Sequence, residues 1–280
     1  MKKTAIAILI AVLVVAIGAG LLFAGLSAVS FRFDKLDRTE YMTNTYEFDG
    51  PVKRVDMKGH AADLELLAAE DGRCRVVSAE NDREKYSVSL ENGTLTIRPQ
   101  AEMKKWSLFS FKSPKITVYL PAGTYESLKA DINTGDLTAD KALVFDTAEI
   151  ELSTGDLTMS GVQTRAITVH GGTGDIRVSD MAPETMTVTL STGKIVLSNV
   201  VCSGDLRCES TTGDIRLSDV DGANVYLKAS TGDITGTIRT DKTFYASAST
   251  GDVKVPSGTT GGRCEASTST GDIRLSVSGK

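Results

Sequence analysis

"KASTGDITG", Lys228–Gly236, carries a Thr-Gly-Asp core that returns again and again down the second half of the chain. Its glycine belongs to the series Gly135, Gly155, Gly174, Gly193, Gly213, Gly232, Gly251 and Gly271, each 19 or 20 residues after the one before. Thr stands before that glycine in all eight units and Asp after it in seven, Lys194 being the exception. A fixed period of this length is the signature of a repeat architecture, in which each unit buries its apolar face against its neighbours.

Around each glycine the apolar residues alternate. Leu137, Leu157, Ile176, Ile195, Ile215, Ile234, Val253 and Ile273 lie two residues after it, and Ala130, Ile150, Val169, Val188, Cys208, Leu227, Ala246 and Ala266 five before it. A further apolar column lies seven before, from Leu128 to Cys264, with polar or small residues between. Period-two alternation on both sides of a turn predicts strand, tight turn, strand, with one buried face. The glycine supplies the positive φ that a β-branched residue resists.

Two folds satisfy this pattern. In an antiparallel meander each strand pairs with its sequence neighbour. In a β-solenoid each unit is one coil, and equivalent strands of successive coils pair in parallel. Every column keeps its character from unit to unit, as expected when like stacks on like. The expected fold is therefore all-β: a parallel β-helix-like solenoid of about 19–20 residues per coil, rising roughly 4.8 Å per coil.

An Asp column stacked at that spacing repels itself by roughly 1 kcal/mol per pair in water and more at a protein surface. The reading adopted is an Asx-type arrangement, in which each carboxylate accepts backbone N–H groups of its own turn and Lys194 relieves the row. A row of calcium ions is the alternative. The nearest approach to a calcium-binding glycine-rich nonapeptide is "GGTGDI", Gly171–Ile176, where the Asp comes one residue early and the double glycine occurs once. No metal ligand or cofactor is assigned.

Residues 46–126 read as a β-rich capping part ahead of the repeat solenoid at 127–280. "YSVSLENGTLTIRPQ" is a hairpin signal with Asn92-Gly93 between alternating runs, and "KITVYLPAG", Lys115–Gly123, is a strand leading into the first repeat. At the far end the chain stops at "GDIRLSVSGK", one strand past its last turn, predicting an open edge guarded only by Arg274 and Lys280. "KKWSLFSFK", Lys104–Lys112, sets the single Trp and two Phe between lysines. It reads as a hairpin packed on the cap, with contact to lipid or a partner as the alternative.

Between Lys3 and Arg32 the chain has no charged residue. Spanning hydrocarbon needs about 20 apolar residues, so residues 1–31 are expected to be an N-terminal transmembrane helix, with 32–45 as a juxtamembrane linker. A cleavable signal ending near Ala28-Val29-Ser30 is the competing reading, although its apolar core is ordinarily about 7 to 15 residues. The bulk of the chain is then expected outside the cytoplasm. Of the four cysteines, Cys208 and Cys264 are expected on inward positions of strands three repeats apart, roughly 14 Å, too far for a disulfide. Cys202 is placed in a turn, Cys74 in the cap, and small buried hydrophobes with one or two free thiols are expected.

The net charge of -5 gives no basic field for nucleic acid. The two histidines, His60 and His170, are paired with no nucleophile, and no HExxH, CxxC pair, P-loop or dinucleotide fingerprint occurs. No catalytic residue is assigned, because the recurrent carboxylates share one column and do not face each other across a groove.

The strand "KITVYLPAG", then "LKADINTGDLTA" and the serial "STGDI" units behind an apolar N-terminal run, resemble the bacterial DUF4097 β-strand-repeat family, often labelled adhesins. That resemblance spans residues 46–280 and implies a β-helical envelope module, with no catalytic or ligand residues to carry over. The expectation is a membrane-anchored, extracytoplasmic, non-enzymatic surface module that meets a protein, a glycan or another envelope component. A scaffold self-assembling through its C-terminal edge is the first alternative, and a carbohydrate-active enzyme the last.

Overall fold

A computed structural model describes residues 41–81, 85–100, 114–258 and 260–278. The proposed transmembrane helix, most of the linker, and the Lys104–Lys112 aromatic segment lie outside the described residues. Among those described, no helix is long and apolar enough to cross a membrane.

Among the described residues, seven strands precede the repeats: β1 (Met42–Phe48), β2 (Arg54–Ala61), β3 (Asp63–Ala68), β4 (Cys74–Glu80), β5 (Tyr86–Glu91), β6 (Thr94–Pro99) and β7 (Lys115–Leu120). The eight repeats then supply strand pairs, each split by its Thr-Gly-Asp corner. They are β8 (Thr124–Thr134) with β9 (Leu137–Ala139), β10 (Val144–Thr154) with β11 (Leu157–Ser160), β12 (Gln163–Thr173) with β13 (Ile176–Met181), and β14 (Thr185–Thr192) with β15 (Ile195–Val200). The rest are β16 (Asp205–Thr212) with β17 (Ile215–Val220), β18 (Asn224–Thr231) with β19 (Ile234–Ile238), β20 (Thr243–Thr250) with β21 (Val253–Lys254), and β22 (Arg263–Thr270) with β23 (Ile273–Val277).

One member of each pair enters an 11-stranded sheet and the other a 12-stranded sheet. Equivalent strands of stacked coils pair in parallel, as β10 does with β8 and β12, so the meander is excluded and the two-sheet solenoid stands. The columns seen in the sequence form the core between the sheets. Met186, Val188, Leu190, Ile195 and Leu197 of one coil are all buried, each beside its counterparts above and below.

The stacking order departs from the sequence at both ends. The last coil, β22/β23, does not lie at the edge: it is inserted between β18/β19 and β20/β21, so the penultimate repeat is outermost. This corrects the expectation of a C-terminal edge guarded by Arg274 and Lys280. It also places Cys208 and Cys264 two strands apart in the sheet instead of three. At the other end, β2/β3 pairs with the first repeat, and the later-coming β6/β7 stacks outside it in parallel. There β4 runs antiparallel to β7, β1 to β4, and β5 to β6, whose Asn92 and Gly93 both take positive φ in the turn. Reversed strands end the parallel stack on this side. Buried Glu80 ties the outermost one, accepting from Asn44 Nδ2 at 2.8 Å and Tyr46 Oη at 3.1 Å.

Candidate interaction site

The Thr-Gly-Asp corner was the strongest signal in the sequence, and it is a ladder built by three hydrogen bonds per step. Within the stack, the glycine N–H donates to the Thr carbonyl of the next coil and the N–H of the following aliphatic residue donates to the next Asp carbonyl, each at 2.8–3.0 Å. In the opposite sense, the Asp N–H of each outer coil donates to Oδ1 of the Asp in the coil before it. These bonds run Asp136 to Asp63, Asp156 to Asp136, Asp175 to Asp156, Lys194 to Asp175, Asp233 to Asp214, Asp272 to Asp233 and Asp252 to Asp272, at 2.7–3.1 Å.

Each carboxylate therefore caps the neighbouring coil's turn and not its own, which corrects the Asx-type expectation. A charge-assisted bond at every step except the one beyond Lys194 offsets the repulsion along the column. Arginines three residues after the glycine complete the balance: Arg177 reaches Oδ2 of Asp156 and Asp175, Arg216 that of Asp214, and Arg274 that of Asp272. Lys194 keeps the N–H donor but offers no carboxylate, so the ladder of Oδ1 acceptors is broken at Lys194, opposite the Asp214 N–H, and resumes with Asp214 itself.

The glycine is needed for more than its φ of 131–148°. A Cβ on Gly213 would stand 1.9 Å from the carbonyl oxygen of Gly193, and each of the other seven would meet the coil beside it at 1.9–2.2 Å. Backbones touch along this corner, so none of the eight glycine positions tolerates a side chain. The register also reveals a ninth, degenerate corner at Ala61-Ala62-Asp63, aligned with Thr134-Gly135-Asp136. Ala62 stands in the glycine's place without positive φ, which hid the unit from a search keyed on glycine.

Sequence reading also passed over a second polar ladder, five and six residues after Gly174, Gly193 and Gly213, visible as Ser179-Asp180, Ser198-Asn199 and Ser218-Asp219. Asp180, Asn199 and Asp219 all take positive φ, a conformation short polar side chains tolerate. Asn199 Nδ2 donates to Asp180 Oδ1 at 2.8 Å, Arg239 donates to Asn199 Oδ1 and to Asp219, and Ser278 Oγ donates to Asp219 Oδ1 at 3.0 Å. Asp180, through Asn199 and Ser179, and Asp219, through Arg239 and Ser278, are held below the usual carboxylate range.

A buried ion pair marks where the stacking order breaks. Lys242 Nζ lies 2.6 Å from Asp221 Oδ1, with side chains only 5% and 9% exposed. Lys242 sits in the connection from β19 to β20, which must step past the level filled by β22/β23. Its ammonium also donates to Thr240 Oγ1 at 2.7 Å, while Asp221 Oδ1 accepts from the N–H of Gly222 at 2.9 Å. The pair ties the long step to the connection of an inner coil.

All four cysteines are free and buried, Cys202 included. Burial pushes the Cys74 thiol up to about 11 and those of Cys202 and Cys264 up to about 12, and raises that of Cys208 as well. Protonated and enclosed thiols of this kind are poor nucleophiles. His60 Nδ1 contacts Asn133 Nδ2 at 3.0 Å, and His170 lies exposed on β12. Among the described residues, no group of three or more His, Cys, Asp or Glu is placed to hold a metal ion.

Two surfaces remain. On the outer face of the 11-stranded sheet, the Arg207 guanidinium lies 4.4 Å over the Tyr226 ring and that of Arg263 lies 4.7 Å over Tyr245, an arrangement favourable for cation–π attraction. The other is the open end, where, among the described residues, β20 and β21 have stacked partners on one side only. There Tyr245 is 54% and Val253 43% exposed.

The fold agrees with solved structures at low identity. A protein from Bacteroides fragilis described as a "putative adhesin" matches with 14% identity, covering 86% of this chain and 99% of its own, at a TM-score of 0.50. A "putative adhesin" from Parabacteroides distasonis matches with 11% identity over 85% and 98%, at a TM-score of 0.42. A "putative lipid binding protein" from the same species matches with 16% identity over 84% and 96%, at a TM-score of 0.38. A comparison with curated proteins found no match. The family profile described as Toastrack DUF4097 covers residues 52–280, the whole of both sheets beyond the first strand, and the chain belongs to that family.

Proposed function

We propose that the protein is a membrane-anchored, extracytoplasmic, non-enzymatic interaction module of a bacterial envelope. The corner ladder is the observation that carries this reading. It turns the most repeated ionisable residue of the chain into a backbone acceptor, so the carboxylates a hydrolase would set across a groove serve to stack coils instead. What is left over for function is surface: the Arg207–Tyr226 and Arg263–Tyr245 face and the open end. Anchoring rests on the uncharged run between Lys3 and Arg32, long enough to span hydrocarbon. The adhesin description of the Bacteroides fragilis protein points the same way. Protease added to intact cells is expected to digest the repeat region, and full resistance until the cells are lysed would refute the placement.

A further inference from the structure

The open end has a hydrogen-bonding pattern, and that pattern specifies a ligand. At seven of the eight steps of the ladder the corner of one coil offers the next the same three groups: an N–H at the glycine position, Ala62 in the first corner, Oδ1 of the Asp, and an aliphatic N–H; the eighth, at Lys194, lacks the carboxylate. In the outermost coil these groups are the N–H of Gly251, Oδ1 of Asp252 and the N–H of Val253. None of the three has a hydrogen-bond partner among the described residues. The flanking β20 and β21 each keep one unpaired edge. Phe244 and Ala246 are only partly buried, whereas their column-mates Cys264, Val225, Ala266 and Leu227 are fully enclosed.

From this geometry we infer that the open end is a receptor for one strand–Thr-Gly-Asp–strand segment of another polypeptide, added in parallel as a further coil. The segment must offer two carbonyls, from the Thr and Asp positions, and one N–H, from the Asp position, to meet the donor–acceptor–donor corner of Gly251, Asp252 and Val253. It must carry glycine at the turn. Within the stack a Cβ at that position lies 1.9–2.2 Å from the backbone oxygen beside it, and the incoming turn would meet the Gly251 carbonyl in the same way. Its strands must alternate apolar residues to cover Phe244, Ala246 and Val253. Strand addition to a free sheet edge draws affinity from main-chain bonds and specificity from alternate side chains.

A second copy of this chain does not fit. Its own open end presents the same donor–acceptor–donor pattern. At its opposite end the Asp63 N–H is already bonded to the Pro114 carbonyl at 2.8 Å and the edge strands β1 and β5 run antiparallel to their neighbours, so among the described residues that end presents no free Thr-Gly-Asp corner to add in parallel. The inference deepens the interaction-module reading by naming the partner's chemistry, and it relies on that reading only for the existence of a partner. Membrane placement could be refuted without touching it.

The test uses the full chain in detergent and a fluorescent peptide with the sequence of Asn224–Ile238, "NVYLKASTGDITGTI", read by anisotropy. Saturable binding is expected, weakened at least tenfold when the peptide carries Gly232→Val. It should be weakened at least tenfold again when the protein carries Asp252→Ala, which removes the acceptor yet leaves that residue's own inward bonds. Lys115→Ala, at the opposite end, should bind as the parent does. Val253→Pro is the second protein variant, removing one donor. Equal binding of the Gly232→Val peptide, equal binding by both open-end variants, or no saturable binding would each overturn the inference. So would sedimentation showing a dimer of the full chain that Asp252→Ala dissociates, since a second copy would then be the occupant.

Discussion

The coils from β8/β9 to β18/β19 stack in the order they are written, whereas the final two repeats stack in reverse, with β22/β23 slipped beneath β20/β21. Both regions use the same corner, the same parallel register and the same apolar columns. The difference teaches that a repeat of this kind specifies how a coil closes onto a neighbour and leaves open which coil that neighbour is. Order has to come from something outside the columns. At the inversion the connection from β19 to β20 carries the buried Lys242–Asp221 pair, and the regular coils contain no counterpart of it among the described residues.

Substitutions separate the two regions. The largest effect is expected for Gly213→Val in the regular stack, where the new Cβ collides with the Gly193 carbonyl and the φ of 131° is disfavoured. Two coil interfaces are disrupted there, and cooperative unfolding followed by circular dichroism should shift by several kcal/mol, on the order of the largest single-residue losses known. Gly251→Val faces the same collision, with the Gly271 carbonyl, but has a coil on one side only. Its loss in the same measurement should be clearly smaller, and equal losses would show that the terminal coil is as integrated as the inner ones.

Next comes Lys242→Ala, which strands Asp221 in a buried site. Removing one partner of a buried pair typically costs about 3–5 kcal/mol, measurable by denaturant unfolding. The double variant Lys242→Met with Asp221→Asn should recover part of that loss. If the pair fixes the stacking order, Lys242→Ala should also speed amide exchange in β20–β23 before β8–β15, and uniform exchange would break the link between the pair and the inversion.

Acid should act on both regions through their ladders. Asp272 is held below the usual carboxylate range by the N–H of Asp252, with Arg274 adding to the effect, and Asp180 and Asp219 are lowered by their own partners. A lowered folded-state value means that the stabilisation is present above the unfolded value of 3.8 and disappears as pH falls through the folded one. Melting temperature should be flat with respect to these groups at neutral pH and should fall once pH drops below about 4. The smallest effect is expected for Asp233→Asn. The amide oxygen still accepts from the Asp272 N–H, so the change should stay near the roughly 0.5–1.5 kcal/mol of one ordinary hydrogen bond. Asp233→Ala, which leaves that N–H without its acceptor, should cost more.

Much of the fold was legible because its chemistry is local and repeated. The Gly135-to-Gly271 series located all eight corners, the alternation around them named the buried columns, and constancy down each column chose the parallel solenoid. The Asn92-Gly93 hairpin was equally plain, since only a few residues take positive φ without strain. The ninth corner escaped because Ala62 replaces the marker residue, and the Ser-Asp ladder because its members lie beyond the apolar columns counted from the glycine. The use of the Asp column was misread in direction: a carboxylate capping its own turn and one capping the next coil's turn leave the same residue at the same spacing.

By itself the sequence determined the coil: its length, its corner, its inward faces and its parallel stacking, because each follows from φ preferences and side-chain periodicity within some twenty residues. Only the tertiary structure decided the order of the coils at the two ends, and therefore which residues form the open edge. Identical columns make every stacking order nearly equal in local energy, so the order is visible only in the assembled stack, where the contact of Lys242 with Asp221, 21 residues apart in the chain, marks the step past the inserted coil.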